Sequence, residues 1–435
     1  MKVFKFGGAS VNSADAVRNM SSIVKDYLDL PLIVVVSAMG KTTNALEKLV
    51  PGATSDESER QAIISSLRNY HYEIIQGLFS TDDNSLGIKA ASKVAQEKTM
   101  DKVNMYFDLL EMRSESPATH YNYDYDQIVS FGELISTTII SEYLNHIGLG
   151  NRWLDVRELI RTDANYREGH VDWDTTRLNL KRTIDKDAPL LYITQGFIAG
   201  TASHTTTTLG REGSDYSAAI LSYCLGAESM TIWKDVPGFL NADPKYFSNT
   251  VKIEEIPYNE AIELAYYGAS VIHPKTVKPL QNKGIKLNIK SFLNPSAEGS
   301  VIGPYDTIKP QTPLYIFKSN QVLLSIMPKD FSFIAEDNLQ TIFAALAATG
   351  IKVNLMQNSA LSFSLCIDHN PILLEQLQEL LSPNFHLRYN EGLQLITIRY
   401  YTEEIIDQIV GSRPILLQQR SRTTTQLIVS KESSE

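Results

Sequence analysis

At 435 residues the chain exceeds what one hydrophobic core usually supports, so two or more domains are expected. Apolar residues make up 43% and charged residues 21%, which excludes a disordered or fibrous chain. The net charge of −10 argues against a nucleic-acid partner. Its two cysteines, Cys224 and Cys366, sit in apolar runs as buried thiols of a reducing, cytoplasmic setting; no signal-peptide pattern or membrane-spanning apolar run is evident.

The runs Lys2 to Phe6, Leu32 to Ser37, Leu190 to Thr194, Ser229 to Trp233 and Lys286 to Ile289 read as buried strands lying between stretches of helical period. Through about residue 305 this predicts an α/β domain with a largely parallel sheet. Glycine turns follow the strands at Gly7-Gly8, Gly40 and Gly196, and the carboxyl ends of such strands are where ligands bind. Residues 55 to 112 read as a helical insertion or lid. Breakers from Pro295 to Pro313 mark a boundary, beyond which 313–435 reads as α+β. There, strand Gln321 to Met327, a helix ended by Gly350, strands Ile351 to Met356 and Ser362 to Asp368, and helix Leu373 to Leu381 form one unit. A shorter copy follows: strand Leu393 to Tyr400, helix Glu403 to Val410, and strands in Ile415 to Gln418 and Thr424 to Val429. Ordinary α+β packing gives a similar pattern, so duplication stays open on pattern alone.

Four segments carry candidate chemistry. In Lys5-Phe6-Gly7-Gly8 a lysine at a strand tip, followed by bare amides, suits a phosphate; a glycine hairpin with a surface lysine reads equally well. Ser37 to Asn44 resembles the second half of a P-loop, but Val35 stands where the pattern needs glycine, so that motif is rejected. In Leu209 to Asp215 two glycines flank Arg211, which can fork onto a carboxylate or phosphate, while Ser214 and Asp215 are candidate caps for a helix beginning near Tyr216. Trp233 to Lys245 reads as a loop whose aromatic, lysine and aspartate residues equally suit a nucleotide.

Together with SFGELIST at 130, DVRELIRTD at 155, TQGFIAG at 194 and YGASVIHPKT at 267, these strings resemble aspartate kinases of the amino-acid kinase family, in that family's order. The resemblance implies the amino-acid kinase fold, a parallel-rich sheet sandwiched by helices, followed by an α+β region of two ACT-type regulatory modules, the second shortened. It implies ATP and Mg²⁺ as cofactors, L-aspartate as acceptor in the first step of lysine, threonine and methionine synthesis, an amino-acid effector, a homodimer, and no membrane partner. By position, Lys5 and Asp215 match the catalytic pair, and Ser37, Thr43, Glu133, Arg211 and Ser214 the aspartate site. Gly7, Gly8, Lys234, Asp235, Leu240 and Lys245 fall at nucleotide positions, and no protein metal ligand is implied. Three departures stand out. Ser270 replaces a lysine of many relatives, for which Lys275 or Lys234 is a candidate substitute. Glu212 adds a charge expected to face solvent. Asn354 stands where lysine-sensitive relatives often carry aspartate.

Overall fold

The computed structural model describes residues 1–53, 56–80, 86–184, 191–269 and 271–430. Two compact units result, the first formed by Met1–Phe239, Lys252–Ile262 and Val271–Pro310, the second by Leu240–Val251, Glu263–Ser270 and Gln311–Glu435.

The first unit is built on eight strands: β1 (Lys2–Phe6), β2 (Leu32–Val36), β3 (Arg152–Leu154), β4 (Leu191–Gln195), β5 (Ser229–Lys234), β6 (Glu255–Pro257), β7 (Lys286–Ser291) and β8 (Ser300–Gly303). Their spatial order is β6-β8-β7-β5-β1-β2-β4-β3. From β7 to β3 every pairing is parallel, while β8 runs antiparallel to β7. β2 is buried along its whole length, the signature of a central parallel strand covered on both faces. In β1 the pleat sends Phe4 and Phe6 to one face, where Phe6 stacks on Trp233 at 5.9 Å. Lys5 leaves by the opposite face.

Helices cover this sheet: α1 (Ala14–Lys25), α2 (Thr42–Glu47), α3 (Glu57–Phe79), α4 (Leu86–Ser114), α5 (Tyr121–His146), α6 (Trp173–Thr183), α7 (Gly213–Leu225) and α8 (Pro274–Gln281). The stretch read as an insertion or lid forms α3 and α4; its residues 55 and 81–85 lie outside the described residues. Ile64, Leu67, Ile75, Phe79, Phe107 and Leu110 of these helices join the core that holds Phe4 and Phe6, so the pair is a packed layer of the unit.

The second unit carries a six-stranded antiparallel sheet of β9 (Leu314–Pro328), β10 (Val353–Asn358), β11 (Phe363–Asp368), β12 (Phe385–Arg399), β13 (Ile415–Arg420) and β14 (Thr424–Ser430), in the order β10-β11-β9-β12-β14-β13. β9 and β12 are 15 residues each and run the length of the sheet, with register shifts between Lys318 and Leu323. Each long strand therefore serves two halves. The distal half of β9, α9 (Glu336–Thr349), β10, β11, α10 (Pro371–Leu381) and the start of β12 make one βαββαβ set, packed around Leu324, Leu346, Leu365 and Leu377. The end of β12, α11 (Glu403–Val410), β13 and β14 begin a second set around Ile396, Ile406 and Val429. Its fourth strand is the proximal half of β9, Leu314 to Lys318, which lies against Leu395 to Arg399. The second set is thus wrapped around the first in sequence, which the reading of two consecutive copies did not anticipate.

Two pieces from before residue 305 belong to this unit because their side chains pack there. Tyr246 stacks on Phe317 at 5.0 Å, Phe247 on Tyr315 at 4.9 Å, and Glu263 pairs with Arg399 at 3.3 Å. Both cysteines are free and buried, and burial raises the Cys224 thiol to about 11 and that of Cys366 to about 12. No described helix is long and apolar enough to cross a membrane.

Candidate active site

Loops at the carboxyl ends of β1, β2 and β4 meet the start of α7. Gly8 belongs there for a packing reason: a Cβ would stand 2.7 Å from the Ala38 carbonyl oxygen and 2.8 Å from that of Gly40. The loop after β1 is thereby pressed onto the loop after β2, whereas at Gly7 a Cβ would meet only the Lys5 Nζ, at 3.4 Å. Gly196 plays the same part beside α7, since a Cβ would fall 2.5 Å from that of Ser214.

α7 begins at Gly213, preceded by Glu212 in the left-handed region at φ 54°, and no side chain caps it. The expectation that Ser214 and Asp215 cap a helix starting near Tyr216 is therefore corrected. Both residues lie in the first turn, and Asp215 points inward. Its carboxylate is fully buried and meets two ammonium groups, Lys5 at 2.7 Å and Lys234 at 3.7 Å. Lys234 also donates to the Val271 carbonyl at 2.5 Å.

A cavity of about 910 Å³ opens above this ion pair, lined by Lys5, Ser37, Thr43, Glu133, Arg211 and Ser214 among others. Six residues singled out from four separate sequence segments thus share one space. Glu133, on α5, is buried; one oxygen accepts from the Ala38 amide at 3.3 Å and the other has no hydrogen-bond partner. Desolvation raises this carboxyl to about 8, opposed by the Ala38 hydrogen bond and by the Lys5 charge. A buried carboxyl with one idle oxygen, facing a cavity, suits a cationic ligand group. Arg211 is exposed and forms no ion pair among the described residues, and Glu212 sits exposed on the cavity wall.

Other candidates lie elsewhere. Asp235 is an exposed loop residue of the first unit, while Leu240 and Lys245 belong to the second unit. Lys275 lines a different cavity, of about 340 Å³, with Trp173, Tyr216, Tyr223 and Lys278. Ser270 lies outside the described residues. Sequence reasoning missed Tyr125, Tyr166, Arg167 and Thr208 of the main cavity wall. Only the aromatic-rich start of α5 and the Asn-Tyr-Arg-Glu-Gly turn hinted at them.

The described side chains of this site do not by themselves build a metal site. Among the described residues no group of three His, Cys, Asp or Glu side chains could hold one. The oxygens of Asp215 are already faced by two ammonium groups.

The amino acid kinase family model matches residues 1–291, so the chain belongs to the amino acid kinase family. Within it, the similarity is to aspartokinases. The lysine-sensitive aspartokinase 3 of Escherichia coli is 31% identical over 411 residues, covering 91% of this chain and 86% of that protein. Aspartokinase 1, chloroplastic, of Arabidopsis thaliana is 32% identical over 86% of this chain, which spans 64% of the plant protein. Among solved structures, E. coli aspartokinase III in complex with lysine and aspartate superposes with a TM-score of 0.80 at 28% identity, covering 99% of this chain and 96% of that one. The same enzyme with aspartate and ADP gives 0.78 at 27% identity with the same coverage. The α/β fold with its antiparallel second region is therefore that of aspartokinases.

Proposed function

We propose that the protein transfers the γ-phosphoryl group of ATP to the side-chain carboxylate of L-aspartate, giving 4-phospho-L-aspartate and ADP. The observation that carries this reading is the single cavity in which the Lys5–Asp215 pair, the buried Glu133 and the unpaired Arg211 face one another. A small dicarboxylic amino acid offers a matching set of charges: its ammonium for Glu133, its α-carboxylate for Arg211, and its side-chain carboxylate turned toward Lys5.

The acceptor carboxylate is ionised at neutral pH, with a reference value of about 4, so no base is needed to activate it. Its oxygen forms a bond to the γ-phosphorus as the bond from that phosphorus to the departing ADP oxygen breaks. The obstacle is repulsion between two anions, and Lys5 and Lys234 supply positive charge at the place where it develops. Asp215 holds both ammonium groups in position, and a carboxylate so paired is a poor proton acceptor. Mg²⁺ carried on the ATP phosphates would neutralise further charge.

The βαββαβ set and the shorter, single-helix set wrapped around it resemble ACT-type modules, which supports assigning the second unit to amino-acid sensing. At Asn354 the amide nitrogen donates to Gln321 at 2.8 Å and Asp368 at 2.9 Å, while its oxygen accepts from Lys318 at 2.8 Å. That amide is committed to internal partners, which argues against an effector ammonium at this position. The edge strands β10 and β13 leave backbone groups for pairing with a second copy, in keeping with a homodimer. A coupled ADP assay with aspartate, glutamate, N-acetylglutamate and a nucleoside monophosphate as acceptors, with and without lysine or threonine, tests the reading. Release of ADP that depends on aspartate supports it, and turnover with another acceptor alone would overturn it.

A further inference from the structure

The cavity wall holds a second arginine. Arg167 lies in the turn from Asp163 to His170, which is tied at several points. Asp163 accepts from the amides of Asn165 at 3.2 Å and His170 at 2.9 Å, and Asn165 donates its side-chain amide to the Glu168 carbonyl at 3.0 Å. The Gly169 amide donates to the Thr208 carbonyl at 2.9 Å. Arg167 itself has φ 71°, a left-handed conformation costly for any residue with a Cβ. It is held there by Asp126, whose carboxylate accepts from the Arg167 amide at 2.8 Å and from the amide and hydroxyl of Thr208 at 2.9 and 2.8 Å.

The side chain is exposed and lies against two tyrosine rings. Its guanidinium lies 4.4 Å from the centre of the Tyr125 ring and 5.8 Å from that of Tyr121. Tyr125 is a rigid platform, since its hydroxyl donates to Glu47 at 2.8 Å. No carboxylate among the described residues lies within ion-pair distance of Arg167. The turn also packs on the strand that leads to Arg211, because a Cβ on Gly210 would meet the Arg167 carbonyl oxygen at 3.3 Å. Two unpaired guanidinium groups therefore line one cavity from neighbouring loops.

We propose that Arg167 is a specificity-determining residue that binds the α-carboxylate of the amino-acid substrate together with Arg211. The inference rests on the aspartate reading above and assigns a recognition role that the motif strings did not reveal. Stacking on the tyrosine face narrows the rotamers open to the guanidinium, which lowers the ordering cost of closing its fork on a carboxylate. A strained backbone held by a buried carboxylate is what keeps such a group in position. The arrangement favours acceptors that carry an α-carboxylate over analogues that lack it.

The test compares wild type, Arg167→Ala and Arg167→Lys in aspartate-dependent ADP release, with β-alanine, which is aspartate without its α-carboxylate, as a competitor. Loss of the fork is expected to raise the aspartate KM about 10- to 100-fold in Arg167→Ala, with kcat and the ATP KM nearly unchanged. The lysine variant should fall between. The inhibition constant of β-alanine should be the same in wild type and Arg167→Ala, an outcome that a general loosening of the site would not give. An unchanged aspartate KM, or a parallel loss of β-alanine and aspartate binding, would overturn the proposal. If wild type shows no aspartate-dependent turnover, the functional reading fails instead, and calorimetric aspartate binding to the same variants still decides the role of Arg167.

Discussion

Binding of aspartate should expel a proton from Glu133. Burial raises this carboxyl to about 8, with only one long hydrogen bond from Ala38 and an idle second oxygen to offset it. At pH 7 about nine-tenths of the molecules therefore carry the proton. A substrate ammonium arriving at the idle oxygen favours the ionised form and drives the carboxyl back toward the ordinary range. Close to ~0.9 proton per aspartate should leave at pH 7, and about half a proton at pH 8. Affinity should consequently tighten about tenfold per pH unit from 6 toward 8 and level off above it. Calorimetry without ATP, in buffers of different ionisation enthalpy, measures the proton count directly. Glu133→Gln should abolish both the release and the slope, while raising the aspartate KM and sparing that for ATP. The sign for stability runs the other way: the folded carboxyl binds its proton more tightly than the unfolded one. Unliganded protein should lose stability as pH rises from about 4.5 to about 8, and saturating aspartate should remove that loss. Binding heats independent of buffer in the wild type would refute the assignment of Glu133 to the ammonium.

Lys5→Met should lower kcat by about 10³-fold or more with a much smaller loss of aspartate binding, because the charge it removes matters most where the phosphoryl group passes; steady-state and binding measurements separate the two. Gly8→Ala should destabilise the protein by about 1–3 kcal/mol, since the new methyl meets two carbonyl oxygens of a neighbouring loop, and thermal melting reads this directly. Leu324→Ala, at a fully buried position of the second sheet, should cost about 2–5 kcal/mol while leaving first-unit binding of aspartate intact; denaturant unfolding followed with calorimetry distinguishes the two effects.

The central strands were legible because parallel strands covered on both faces must be apolar throughout, as Leu32 to Val36 is. The long strands β9 and β12 were each read as half their length. Their remaining halves, from Leu314 and from Phe385, mix exposed polar positions with buried ones and start close to breakers. Nesting of the two sets depends on which strands pair across the chain, and no local pattern encodes that. At the site, glycines marked loops that border the cavity, and Gly8 sits against the carbonyl oxygens of Ala38 and Gly40. Lys5, Glu133 and Arg211 could be picked out by motif, but the burial that changes Glu133 could not, because α5 is buried on nearly every side. Arg167 was invisible: a left-handed arginine on a tyrosine face is a product of the loop's hydrogen bonds to Asp126, 41 residues earlier.

Because the strand Leu314 to Lys318 closes the sheet of the later set, that set is made from two separate stretches of chain, with the earlier set inserted between them as one uninterrupted length. A protein shortened before residue 400 would keep every strand of the earlier half, yet would bare one flank of β12 that β14 now covers. Recombination that exchanges the later set between such proteins must therefore move two stretches at once, and a growing polypeptide cannot complete that set until β14 has been made.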